Sequence, residues 1–213
     1  MILTGYIITY LYLFTLLLMT YIGYKVFKIR MVILRKLAHI MIAFIWVISY
    51  YYFGTTWHML VVPISFVVVN FIGYHLSLFK WLDDKESKGT LYYPISVLIL
   101  AIITYFHPEF YYAYGIGIFC LGLGDGFAPL VAGYLKSRKI VDNKTLTGTL
   151  TVLIMSLVVV VSFNTFFDLG FNIIKILMIC LLATVLELFA KKGLDNLYIP
   201  LGVAALVYLL GVI

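Results

Sequence analysis

The sequence predicts an all-α protein, a polytopic transmembrane helical bundle of about eight spans, and three observations carry that expectation. Of its 213 residues, 64% are hydrophobic and 11% charged, with a mean hydropathy of +1.11, whereas a soluble domain is about half apolar and a quarter charged. The apolar residues gather in runs of span length. Fourteen of the fifteen Lys and Arg residues fall in four short segments between those runs, with Lys175 the exception. Cations confined to alternate loops mark a helical protein whose basic loops stay in the cytoplasm.

The run over 2–24 has no basic n-region and no small-residue cleavage site, and it is long enough to span, so it reads as a first helix and not as a signal peptide. The first basic cluster, Lys25, Lys28, Arg30, Arg35 and Lys36, leads into spans 37–53 and 57–79, joined by a turn without Lys or Arg. Lys80, Lys85 and Lys88 then precede spans 91–106 and 110–135, and Lys136, Arg138, Lys139 and Lys144 precede spans 150–167 and 171–190. Lys191 and Lys192 precede the last span, 197–213. The turns without Lys or Arg are aromatic (Tyr50 to Phe53 and Trp57; Phe106 and Phe110 to Tyr112; Phe163, Phe166, Phe167 and Phe171), as an outer interfacial belt would be, with Glu109 and Asp168 their only acids. Both termini then lie outside. Spans of sixteen to eighteen residues sit at the short end for a ~30 Å hydrocarbon core, so these helices are expected to stand nearly upright.

With no linker, low-complexity run or soluble insertion, residues 1–213 read as a single membrane-embedded domain. A net charge of +6 would suggest nucleic acid in a soluble chain, but juxtamembrane cations meet membrane lipids and cytoplasm instead, so no nucleic-acid partner is expected. Cys120 and Cys180 lie inside apolar spans and read as small core residues.

Chemistry must come from polar residues that a bilayer otherwise rejects. Arg35 and His39 are four residues apart at the mouth of the second span, on one helical face near backbone N–H groups that favour anions; simple positive-inside anchoring explains them too. Gly122, Gly124, Gly126 and Pro129 surround Asp125 at membrane depth. That composition disfavours a continuous helix, and a buried Asp there needs a cation, whether Mg²⁺ held with phosphates or a neighbouring Lys or Arg. Lys144, Thr147, Gly148 and Thr149 supply donors and open backbone suited to phosphate, without the spacing of a Walker A loop; a solvated basic linker is the alternative. Asn143-Lys144-Thr145 matches a glycosylation acceptor, but the topology places it in the cytoplasm. Glu187 stands one turn before Lys191, so a local ion pair would account for it, and Asp195-Asn196 would serve equally as a helix cap. Asn70, His75 and the run from Gly89 to Pro94 read as structural.

Taken together and in order, Arg35-Lys36-x-x-His39, Gly89-Thr90-x-Tyr92-x-Pro94, Gly124-Asp125-Gly126-x-Ala128, Lys144-x-x-x-Gly148-Thr149, and Glu187 with Asp195-Asn196-x-x-x-Pro200 resemble the CTP-dependent lipid kinase family of dolichol kinase, phytol kinase and yeast-type diacylglycerol kinase, itself related to phosphatidate cytidylyltransferases. The resemblance runs from residue 35 to 200 and leaves out only the first helix. It implies transfer of the γ-phosphate of CTP, or another nucleoside triphosphate, to a polyprenol-type alcohol or diacylglycerol at the cytoplasmic face of the cell membrane. Its implied site has Asp125, Glu187 and Asp195 as Mg²⁺ ligands and Asp125, Lys144 and His39 as catalytic groups. Nucleotide and phosphate contacts fall to Arg35, Lys36, Gly124, Gly126, Lys144, Thr147, Gly148, Thr149 and Asn196. Phosphoryl transfer asks mainly for charge neutralisation and in-line placement, which cations and a metal supply.

Two departures stand out. The chain is much shorter than the eukaryotic dolichol kinases, and of the Gly-x-x-Gly that often follows Gly-Asp only Gly133 is present, followed by Tyr134, Leu135 and Lys136. A phosphatidate cytidylyltransferase is the rival enzyme, but its Lys-Asp, Gly-His-Gly-Gly and Asp-Arg-x-Asp runs do not occur here. A small-solute transporter with a gating fifth helix is the rival of another class, and it lacks support from internal symmetry.

Overall fold

A computed structural model describes residues 1–76 and 89–211. Lys80, Lys85, Lys88 and the ends of spans 57–79 and 197–213 lie outside the described residues. The chain is a helical bundle: α1 (Ile2–Lys25), α2 (Met31–Ala43) continued by α3 (Ile45–Tyr52), α4 (His58–His75), α5 (Gly89–Phe106), then a central rod made of a 3-10 turn (Pro108–Phe110), α6 (Tyr111–Phe119), a π-turn (Cys120–Asp125) and α7 (Gly126–Tyr134). After it come α8 (Leu146–Phe167), α9 (Ile173–Phe189) and α10 (Asp195–Leu209). Six of these rods are long and apolar enough to cross a membrane. With 17 and 15 residues, α9 and α10 are shorter, and the expected count of eight spans turns on them.

Two expectations need correction. The basic loop before α8 is not wholly irregular: Lys139–Val141 (β1) and Lys144–Thr145 (β2) form a two-stranded antiparallel hairpin, the one departure from an all-α fold among the described residues. Asp142 takes a positive φ of 46° at its turn, a conformation that short Asx side chains tolerate. The Gly-rich stretch around Asp125 does not break the fifth span either. The rod continues as a π-turn, one of the helical irregularities that recur at functional sites. Pro129 lacks the N–H that would bond the Asp125 carbonyl, which favours the wider winding there.

The glycines serve close packing. A Cβ on Gly122 would lie 2.6 Å from the Ala43 Cβ and 3.2 Å from the His39 carbonyl oxygen, and one on Gly126 would strike Ile40. This is how α2 comes to lie directly on the π-turn. The central rod is accordingly the most buried span, with 67% of its apolar window covered against 11% for α1. Around its upper half Trp46 stacks among Tyr50, Tyr111, Phe119 and Phe163, with ring centroids 5.1 to 6.2 Å apart. Aromatic packing of that kind supplies stability that a bilayer, as apolar as the side chains themselves, does not. Cys120 and Cys180 are buried free thiols, as expected.

Candidate functional site

Helix α2 starts at Met31, six residues before the expected span, so Arg35, Lys36 and His39 lie within the helix and not at its open N-terminus. Their faces are set by the close contact of α2 with the π-turn. That contact brings the Lys36 Nζ to 2.5 Å from Asp125 Oδ2, with His39 Nδ1 at 3.7 Å from the same oxygen, beyond hydrogen-bond reach. Asp125 and His39 are both buried, at 3% and 6% exposure, and the His39 ring packs edge-on to Tyr93, centroids 5.0 Å apart.

A second group forms where the hairpin meets α9 and α10. Lys144 ion-pairs with Glu187 Oε1 and stands 3.9 Å from Asp195 Oδ2. Burial by itself would lower the Lys144 ammonium's pKa, but Glu187, with Asp125 and Asp195 behind it, outweighs burial and raises it, so the cation is held firmly charged. The local Glu187–Lys191 pair allowed by spacing does not form: Lys191 reaches Asp142 at 2.9 Å, on the surface. Nor does Asp195-Asn196 cap α10. Leu194 occupies the cap position without a side-chain bond, and Asn196 donates its backbone N–H to Asp195 Oδ1 at 3.0 Å and its Nδ2 to the Gly193 carbonyl at 3.2 Å.

Between the two groups opens a polar cavity of about 680 Å³. Of the residues singled out by sequence, Arg35, Lys36, His39, Lys144, Asp195 and Asn196 line it. Asp125 and Glu187 do not; they lie buried behind Lys36 and Lys144. Thr147, Gly148 and Thr149 are drawn into the first turn of α8, which begins at Leu146 and not near Leu150. There the Thr147 N–H donates to Ser137 Oγ at 2.9 Å and the Gly148 N–H to its cap, Thr145 Oγ1, at 3.2 Å. Gly124 packs on Val152 and Gly126 on Ile40. Sequence reasoning undervalued Thr90, Asp142, Asn143, Lys191 and Lys192, all of which line the cavity. The Gly89-Thr90 motif and the basic doublet were visible signals; Asp142 had none. In total five Lys or Arg face two Asp around the cavity, a surplus suited to a polyanion.

Two acceptor atoms in this region, Glu187 Oε2 and Asn196 Oδ1, are buried without a hydrogen-bond partner. Oxygen donors of this type suit Mg²⁺, which takes one or two carboxylates and completes its shell with phosphate oxygens and water. Among the described residues no three His, Cys, Asp or Glu side chains form a metal-sized cluster. The donor set therefore fits a metal arriving with a phosphorylated substrate better than a resident ion in an all-protein cage.

A known protein shares this layout of sequence. The chain is 28% identical over 182 residues to the phytol kinase of Synechocystis sp., an alignment covering 82% of this chain and 77% of that protein. The likeness supports a relationship to lipid-alcohol kinases. That relative is named a kinase, and among the described residues this chain has six helices long and apolar enough to cross a membrane. No family model and no solved structure matches the chain.

Proposed function

We propose that this protein transfers the γ-phosphate of CTP, or of another nucleoside triphosphate, to the hydroxyl of a lipid alcohol, a polyprenol-type alcohol such as dolichol or phytol or else a diacylglycerol, with Mg²⁺ and at the cytoplasmic face. The observation that carries this reading is the cation-lined cavity with Asp195 at its wall and the carboxylates of Asp125 and Glu187 held behind that wall by Lys36 and Lys144.

Phosphate oxygens entering the cavity meet Arg35, Lys36 and Lys144, whose positive charges offset the negative charge that builds on the transferring group. Lys36 and Lys144 each hold a buried carboxylate, so a shift of either ammonium towards phosphate exposes an oxygen of Asp125 or Glu187 to the cavity. Those two, with Asp195 and the free Asn196 Oδ1, would hold Mg²⁺, which supplies neutralisation of charge on the phosphoryl oxygens. His39 is placed to take the alcohol proton: it lines the cavity, its Nδ1 has no hydrogen-bond partner, and Asp125 lies close enough to favour the cationic ring that forms.

Membranes containing the protein, supplied in parallel with γ-labelled and α-labelled CTP and a lipid alcohol, test the reading. Label is expected in lipid from the γ position only. Label from the α position would replace the kinase with a cytidylyltransferase, and no label from either, with ATP equally inert, would remove the phosphotransferase reading altogether.

A further inference from the structure

Helix α1 packs on α2 and α3, its Tyr12 hydroxyl donating to the Met41 carbonyl at 2.8 Å, while part of its other face stands off α4 and α5. Near the start, Gly5 is pressed on the Tyr52 and Phe53 side chains, and a Cβ there would come within 2.5 Å of Tyr52; near the end, Gly23 is pressed on Leu34, and a Cβ there would come within 2.8 Å of its side chain. Hydrogen bonds from Tyr6 Oη to His58 Nδ1 (2.8 Å) and between Tyr10 Oη and Ser65 Oγ (2.9 Å) pin the first half of α1 to α4. The segment below them roofs a groove of about 470 Å³ between α1, α2, α4 and α5, a volume within the ~300–1,000 Å³ usual for small-molecule sites.

The groove is graded along its length. Leu13, Phe14, Leu17, Phe66 and Val69 make its walls, while Thr20, Arg35, Asn70 and Thr90 gather at the end nearer the basic loops. From Tyr10 to Thr20 it runs alongside eleven residues of α1, a rise of roughly 15 Å at 1.5 Å per step, about half of a hydrocarbon core. Arg35, His39 and Thr90 line both this groove and the polar cavity, so the two spaces meet at those side chains.

We propose that this groove is the acceptor site: it holds the hydrocarbon chain of the lipid alcohol beneath α1 and delivers the hydroxyl end at His39. The proposal rests on the lipid-kinase reading above and adds where the chain lies. A mostly apolar trough whose charged and titratable groups, Arg35 and His39, sit at one end, opening into a cation-lined cavity, matches a long hydrocarbon with a single hydroxyl head. Chain length is then read by the distance from His39 to the Tyr10–Ser65 bridge, which closes the far end.

The test uses the full chain in detergent, with a twenty-carbon isoprenoid alcohol bearing a diazirine at its tail as the probe. Photolysis is expected to label residues 10–17 and 65–70, and excess unmodified alcohol is expected to suppress the labelling by about tenfold. Leu17→Trp and Val69→Trp, which fill the groove, should each cut labelling and also lower the ratio of twenty-carbon to ten-carbon alcohol phosphorylation by about tenfold. Val158→Trp, on an exposed stretch of α8, should change neither. Labelling on α8 or α9, or labelling displaced by phospholipid but not by alcohol, overturns the groove. Groove labelling without phosphorylation would uphold the site and sink the kinase reading, whereas phosphorylation with label elsewhere would do the reverse.

Discussion

Replacing Asp125 by Asn separates two roles that the structure places on one side chain. Asp125 and Lys36 are 4% and 12% exposed at their side chains, and their charged atoms are 2.5 Å apart. Asn keeps the shape of Asp but leaves the largely buried Lys36 ammonium without its counter-charge. Removing one partner of such a pair costs about 3–5 kcal/mol, a large part of the ~5–15 kcal/mol that holds a typical domain together. For a chain of this size each kcal/mol lowers the melting midpoint by roughly 2–4 °C, so Asp125→Asn is expected to melt roughly 6–20 °C below wild type. Lys36→Met should be destabilised similarly, and the double variant Lys36→Met/Asp125→Asn should regain at least half of the loss, because neither charge is then stranded. Phosphorylation, measured well below each midpoint, should fall by about a hundredfold or more for Asp125→Asn, about 3 kcal/mol in barrier. An Asp125→Asn midpoint within about 2 °C of wild type would refute the buried-pair argument. A folded Asp125→Asn with activity within a factor of a few of wild type would show that Asp125 only braces α2 against the central rod.

Lys144→Ala and Lys191→Ala each delete one cation near the cavity, yet Lys144 is held by buried Glu187 while Lys191 pairs with Asp142 at 68% and 59% exposure. Surface pairs contribute ~0–1 kcal/mol, so the CTP concentration dependence of lipid phosphorylation should worsen by about tenfold or more for Lys144→Ala and stay nearly unchanged for Lys191→Ala; equal effects would return the loop to a basic linker. Gly122→Ala puts a methyl 2.6 Å from the Ala43 Cβ, an overpacking that should cost about 1–3 kcal/mol and displace His39 with α2. A thermal midpoint and activity like wild type would show that α2 can yield there. A reporter fused after Ile213 should read out on the non-cytoplasmic side; a cytoplasmic readout would refute the eight-span arrangement with both termini outside.

Much of the fold was legible because the bilayer restricts the options. Apolar runs long enough to cross it must be helices, since each unbonded backbone group in hydrocarbon is costly, and runs such as 2–24 and 150–167 reappear as α1 and α8 with boundaries moved by one to four residues. The same restriction made Asp125, Glu187 and His39 conspicuous, for polar groups at that depth are rare without a reason.

What the sequence could not decide was which faces meet. Most of these helices are apolar on all sides, so their periodicity carries little information about orientation. The partners of Asp125 and Glu187 come from 89 and 43 residues away, and only the packing of α2 on the π-turn and of the hairpin on α9 selects them over the local pair Glu187–Lys191. The glycines around Asp125 have the same ambiguity: loose backbone and tight packing are spelled alike, and Ala43 and Ile40 on the neighbouring helix make the difference. The amino-acid sequence by itself determined the spans, the segregation of basic loops and the short list of polar residues that matter. Tertiary structure alone decided how those residues pair, and that α1, fastened at Gly5 and Gly23, leaves an apolar groove leading to His39, because ion pairs and cavities depend on distances between helices that no local pattern encodes.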